Sequence, residues 1–257
     1  MTTFTARDEE LQRHFNAFHE ARASTALVSR LYAQAMGDAY PAEVAASSSC
    51  DWNLLGHLVA RLRLRPGQML ADVGCGTGGA GLWLARALSS DLVGIDVSST
   101  AVELATARRS DFVPTGGAHF RIGTLEATGL PDQHADAALC IDALCNATQA
   151  QAALVELHRI LRPGARAVIT RAVRTDADDR WTQEFSEAGF DIEDIHERPE
   201  EPAMWRRLYK LWITHEGALR RELGYTQAEN MLAEALRVRP RLDMRRAVAV
   251  TLRRPAR

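Results

Sequence analysis

The stretch Leu70-Ala71-Asp72-Val73-Gly74-Cys75-Gly76-Thr77-Gly78-Gly79 decides the fold class of this 257-residue chain. Met69–Val73 is a short apolar run of strand character that carries one carboxylate, Asp72. Glycines at 74, 76, 78 and 79 follow, letting the backbone turn sharply and come close to a ligand. The apolar segment 81–88 then reads as a helix. The free N–H groups at its start suit an anion, whereas Asp72 beside them suits an ammonium group. A strand, a glycine loop and a helix in this order open a doubly wound α/β fold.

A ligand with both an ammonium and a carboxylate is an amino acid, and an amino acid joined to a nucleoside describes S-adenosylmethionine. Gly74, Gly76 and Gly79 also satisfy the G-x-G-x-x-G pattern of dinucleotide sites. There the loop holds a pyrophosphate, which Asp72, two residues before the first glycine, would repel. An NAD(P)-dependent reductase is thus the weaker reading. Asp96 ends the apolar run 92–97, at a distance from the loop that fits an acid accepting hydrogen bonds from ribose hydroxyls. Helix capping is the other reading of Asp96, but Ser98 and Ser99 already offer capping oxygens.

Outward from the loop, strands and helices alternate: helix 101–109, strands 119–122 and 137–142, helix 151–161, a turn at Arg162-Pro163-Gly164, and strand 165–170. Helix 178–188 and strand 190–196 follow. Trp205, Leu208, Leu211, Trp212, Met231, Leu232 and Leu236 have helical spacing, which predicts a two-helix insertion over 202–239. The run 247–252 reads as a last strand, antiparallel to its neighbours. Upstream, Leu11, Phe15, Phe18, Leu27, Leu31 and Ala35 predict one or two amphipathic helices, and Ser47-Ser48-Ser49 is expected to cap the helix Trp52–Leu62. The expected organisation is an N-terminal helical cap over 1–50 and a ligand-binding domain over 51–257, α/β with a doubly wound, mostly parallel sheet.

Hydrophobic residues make up 46% of the chain and charged ones 25%, ordinary for a globular protein. A net charge of −2 gives no bulk attraction to nucleic acid, and the arginines crowding the C-terminal third are interleaved with acids, as on a solvated helical face. Cys50, Cys75, Cys140 and Cys145 have no metal-ligand spacing; reduced thiols and no metal are expected. The first ten residues turn acidic without an apolar run, unlike a secretory signal, and no apolar stretch is long enough to span a bilayer. The expectation is a cytoplasmic protein, monomer or homodimer, without nucleic-acid or membrane partners.

With these residues in view, D-V-G-C-G-T-G from Asp72, G-I-D-V-S from Gly94, G-L-P-D from Gly129 and L-R-P-G from Leu161 resemble class I S-adenosylmethionine-dependent methyltransferases. The branch most similar comprises small-molecule enzymes of the ubiquinone and natural-product kind, over about residues 58–170. The resemblance implies a seven-stranded Rossmann-like sheet with an antiparallel last strand, the cofactor across the first two strands and the acceptor under a variable cap. It also implies that Asp72, Gly74, Cys75 and Gly76 hold the methionine end, Asp96 the ribose and Val97 one adenine face. An acidic residue is usual in the family after the glycine at the third strand's exit. Here Thr124 follows Gly123, so Thr124, Leu125 or Glu126 would meet the adenine amino group.

At the fourth strand's exit, the backbone at Ile141 would touch the ammonium and Asp142 would act as general base, or else have an electrostatic or structural role. Cys145 and Asn146 stand where many relatives have histidines. His14, Tyr32, Tyr40, Trp205 and Tyr209, on segments outside the common core, are the expected substrate contacts, although packing is the commoner role of such residues. The function expected is methyl transfer to an oxygen, nitrogen or carbon nucleophile of a secondary-metabolite or quinone-like acceptor. A protein that binds S-adenosylmethionine or a nucleoside without catalysis is the alternative.

Overall fold

The structure, a computed structural model, describes residues 4–114 and 116–256. Residues 1–3, part of the acidic start and of the expected cap, lie outside the described residues, as do 115 and 257. The sheet consists of β1 (Met69–Val73), β2 (Asp91–Asp96), β3 (Ala118–Ile122), β4 (Ala135–Cys140), β5 (Leu161–Arg174), β6 (Asp191–Glu197) and β7 (Arg245–Arg253). Its order is β3-β2-β1-β4-β5-β7-β6. β1 pairs in parallel with both β2 and β4, while β7 runs antiparallel between β5 and β6. The chain therefore winds outward from β1 to β3 and returns on the other side of β1. Strand order reverses there, which opens a crevice at the carboxyl ends of β1 and β4.

Helices cover both faces because the central strands are apolar on both sides. α3 (Trp52–Leu62) and α4 (Gly79–Leu88) bury Leu54, Leu55, Leu58, Leu82 and Leu84 on one face. α6 (Ala150–Ile160) and α7 (Gln183–Glu187) bury Leu154, Leu157, Ile160 and Phe185 on the other. α5 (Ser99–Arg108) packs on β2 and β3. Its N-cap is Ser98, whose side chain accepts from the Ala101 N–H at 3.0 Å.

The N-terminal pattern resolves into two helices, α1 (Ala6–Ala23) and α2 (Leu27–Met36). α2 buries Leu27, Val28, Leu31 and Tyr32, whereas no residue of α1 is fully buried. The apolar stripe of α1 lines a cavity instead of a core.

Several sequence expectations are corrected. Segment 202–239 forms three helices, not two: α8 (Glu201–Thr214), α9 (Glu216–Leu223) and α10 (Tyr225–Val238). His215 leaves helical geometry at φ −102°, ψ 22°, and Gly224 takes φ +79°, so the apolar spacing continues across two bends that periodicity does not register. These helices and α2 share one core, built on Met204, Leu208, Trp212, Leu219 and Leu232. The cap of α3 is Asp51, not the serine run; its carboxylate accepts from the Leu54 N–H at 2.7 Å. The turn expected at Arg162-Pro163-Gly164 lies within β5, where the Gly164 N–H pairs with the Arg254 carbonyl. The helix expected over 178–188 is a short turn followed by α7, because the Asp178 carboxylate accepts from the Arg180 N–H and starts a tighter winding. Among the described residues no helix is long and apolar enough to cross a membrane, and no group of acids, histidines and cysteines could hold a metal.

Candidate functional site

The crevice at the strand ends widens under α1, α2, α8 and α10 into a cavity of about 1420 Å³. Asp72, Gly74, Cys75, Gly76, Asp96 and Val97 line its sheet side, together with Thr124, Leu125, Glu126, Ile141 and Asp142. His14, Tyr32, Trp205 and Tyr209 line its cap side. Tyr40 does not. It follows a tight turn at Gly37–Ala39, and its ring packs against the core shared by α2 and α8–α10, so as a substrate contact it is corrected.

The glycine loop is pinned to β2: the Gly74 and Cys75 N–H groups both donate to the Ile95 carbonyl, at 2.8 and 3.0 Å. Gly74 has φ +81°, and a Cβ there would stand 2.4 Å from the Ala143 Cβ, so only glycine lets this loop pass the exit of β4. Arg108 ties the loop to the chain before α3, donating to the carbonyls of Thr77, Glu43 and Val44. α1 closes over the β2 end through Gln12, whose amide donates to the Val97 carbonyl at 2.9 Å, and Asn16, which accepts from the Ser98 hydroxyl at 2.7 Å.

Asp72 is buried, and burial pushes its carboxyl up to about 7 from 3.8; the nearby Asp96 adds to the rise, and an N–H from Gly81 opposes it. Among the described residues this carboxylate has no cationic partner, and it is a receptor for one. Asp96 accepts from the Gly76 N–H at 2.8 Å with one oxygen and from the Ser98 N–H at 2.9 Å with the other. Burial raises its pKa also, but these backbone donors oppose the rise and aim the carboxylate along the cavity wall. Each oxygen keeps a lone pair for a hydroxyl donor.

Two other expected residues are already engaged. Glu126 accepts from the Gln149 N–H at 2.9 Å, and the Thr124 hydroxyl oxygen accepts from the Ala127 N–H at 3.0 Å. Asp142, at φ +53°, accepts from the Ser49 N–H at 2.6 Å and from the Thr170 hydroxyl at 2.8 Å, while its own N–H bonds Thr170 Oγ1 at 2.7 Å. It fastens the exit of β4 to β5 and to the loop before α3. Arg198 holds the same loop by donating to the Ser49 hydroxyl at 2.9 Å and to the Ser49 carbonyl. Sequence spacing gave no sign of Ser49, Thr170 or Arg198, because they meet only across the sheet.

Further cavity residues also escaped the sequence reading. Glu201 and Arg245, an ion pair joining α8 to β7, and Trp212 line the cap side. Arg22 does too, and its guanidinium lies over the Phe18 ring, 3.4 Å from the centroid. Its signal was present: an arginine four residues after Phe18, on the face that Phe15 and Phe18 define.

Residues 71–169 match the family model described as a methyltransferase domain. An O-methyltransferase of Pyrenophora dematioidea is 34% identical over 116 residues, covering 45% of this chain and 43% of the relative. The chain spans less than half the length of the curated O-methyltransferases it matches. Among solved structures, the [4+2]-cyclase SpnF superposes with a TM-score of 0.77 at 20% identity, over 97% of each chain. A methyltransferase of Geobacter sulfurreducens, in complex with S-adenosylhomocysteine, gives 0.65 at 20% identity over 88% of this chain and 98% of that one. Sheet order and strand-end crevice agree with the solved structures in fold, and residues 71–169 are similar to a methyltransferase domain.

Proposed function

We propose that the chain transfers the methyl group of S-adenosylmethionine to an oxygen, nitrogen or carbon nucleophile of a small, largely apolar acceptor of secondary-metabolite or quinone-like type. One observation carries the reading: a buried carboxylate without a cation, Asp72, beside a glycine loop, with a second carboxylate, Asp96, one strand over. Asp72 would take the ammonium, the backbone at Gly74–Gly76 the methionine end and Asp96 the ribose hydroxyls. Val97, Thr124, Leu125 and Glu126 would border the adenine. When bound, S-adenosylmethionine supplies an electrophilic sulfonium methyl that needs alignment more than acid or base assistance.

The chain's own part is to align and to exclude water. Asp142 accepts from Ser49 with one oxygen and from Thr170 with the other, which makes it a brace for the β4 exit whether or not it also takes a proton. Tyr32, Trp205 and Tyr209, with His14 at the exposed rim, offer a mostly aromatic wall against which an acceptor can lie. The four free cysteines suit a reducing, cytoplasmic compartment.

Calorimetry with S-adenosylhomocysteine, paired with a screen of acceptors using labelled S-adenosylmethionine, tests the proposal. Wild type should bind, Asp96→Ala should bind at least about tenfold more weakly, and label should reach an acceptor. Equal affinity in the variant would overturn the assignment. Tight binding without transfer to any acceptor would select the non-catalytic reading, and binding of NADH instead would select the reductase.

A further inference from the structure

Arg22 is the feature of the cavity that the methyl-transfer reading leaves unused. Its Nε and Nη1 are buried without a hydrogen-bond partner, although the side chain lines the cavity. The other cavity-lining cations are committed or outside the question. Arg108 donates to carbonyls, Arg171 pairs with Glu184 at 2.7 Å, Arg198 holds Ser49 and Arg245 pairs with Glu201. Arg237 is exposed, and burial lowers His19 to about 4, leaving it neutral. Among the described residues Arg22 is thus the half-buried cation of this cavity without an ion pair.

The acids on the same wall do not fill the gap. Glu201 pairs with Arg245, and Asp142 accepts from Ser49 and Thr170 and makes no ion pair with Arg22 among the described residues. Glu234 accepts from the Tyr209 hydroxyl at 2.9 Å; Tyr32 and then Glu234 favour the charged form of Arg22, but Glu234 makes no ion pair with it among the described residues. Burial lowers Arg22 only to about 10, so it is cationic at neutral pH. Phe18 covers one face of the guanidinium, so any partner meets it at its edge. A second orphan lines the same cavity: Trp212 is buried and its Nε1 has no acceptor. Guanidinium and indole N–H groups only donate, so the missing partner is an acceptor, and a buried cation calls for a negative one.

We propose that Arg22 anchors an oxyanion, a carboxylate or phosphate carried on an apolar body, which makes the acceptor of this site an anionic amphiphile. The proposal names the substrate class of the cavity and in that respect rests on the methyl-transfer reading. The head would dock against the edge of the Arg22 guanidinium, with the side chain turning to present its N–H groups, and the body would lie along Phe18, Val28, Trp205 and Met231, all of which line the cavity. An oxyanion so placed receives charge-assisted bonds that a neutral isostere cannot match.

Three probes of one size separate the possibilities: 2-naphthoate, 2-naphthyl phosphate and the neutral 2-naphthamide. Each is titrated calorimetrically into the full chain with S-adenosylhomocysteine present. At least one anion should bind about tenfold or more tightly than the amide, and the tighter of the two assigns the head group. Arg22→Gln should erase the preference while leaving S-adenosylhomocysteine affinity unchanged, and Arg22→Lys should retain part of it. Equal binding of all three probes, no binding of any, or an anion preference that survives in Arg22→Gln would overturn the proposal. Should the glutamine variant not fold, the wild-type preference and the lysine variant decide alone. Failure of S-adenosylhomocysteine to bind while the anion preference persists would remove the methyl-transfer reading and leave the Arg22 site standing.

Discussion

Replacing Asp72 by asparagine is expected to stabilise the empty protein at pH 8 and to abolish tight binding of S-adenosylhomocysteine. Burial, and then Asp96, lift the Asp72 carboxyl from 3.8 to about 7. The folded chain consequently keeps a proton that the unfolded chain has already released, and this group's effect on stability declines as pH rises from about 4 to about 7, then levels off. Ionising it in place costs roughly 4 kcal/mol, at about 1.4 kcal/mol for each of roughly three pH units. Asparagine avoids that ionisation but still buries an amide, so the net gain expected at pH 8 is about 2 kcal/mol.

Urea unfolding from pH 5 to 8 measures this, and the advantage of Asp72→Asn should grow by about 2–3 kcal/mol up to pH 7 and then stay constant. The same linkage makes wild-type binding release a proton: affinity for S-adenosylhomocysteine should climb about tenfold per pH unit below 7 and flatten above it. A stability difference that does not vary with pH, or an affinity that is flat from pH 5.5 to 8, would refute the reasoning.

Asp142→Asn keeps the shape but loses one of two acceptors. Unfolding should show a loss of about 1–2 kcal/mol, and methyl transfer should slow while its pH–rate profile keeps its form; disappearance of an acid limb would make Asp142 the base after all. Gly79→Ala would put a Cβ 2.0 Å from the Val44 carbonyl oxygen. It should cost about 1–3 kcal/mol in unfolding experiments and weaken S-adenosylhomocysteine binding by displacing the loop. Mass spectrometry after brief alkylation of the native protein at pH 8 should find Cys145, the exposed thiol, labelled first. Burial raises all four thiols, so exposure decides the order, and labelling of Cys50, Cys75 or Cys140 before Cys145 would contradict that.

How legible the molecule was depended on how far apart in sequence the interacting groups stand. The strand–loop–helix corner at Asp72 could be read because its parts are adjacent, and glycine at positive φ has few other reasons to recur. Asp96 could be read because the spacing from loop to second strand end is set by the helix between them. Apolar spacing over 202–239 predicts two helices where the fold has three, since a bend at His215 or Gly224 leaves the apolar period intact. Tyr40 and Tyr32 look alike as aromatics near the N-terminus, and both pack on the same core, yet only Tyr32 also lines the cavity, because Tyr40 follows the tight turn at Gly37–Ala39.

From the residues alone came the α/β class, the alternation of elements, the antiparallel last strand and the carboxylates suited to a zwitterion and a ribose. These rest on period, glycine and local charge, all short-range properties. Tertiary structure alone decided that α1 leaves its aromatic face in a cavity, that Asp142 is tied to Ser49 and Thr170, and that the Nε and Nη1 of Arg22 are buried without an anion among the described residues. Each of those depends on what other elements place opposite a side chain, and burial and pairing across 90 or more residues leave no trace in local spacing.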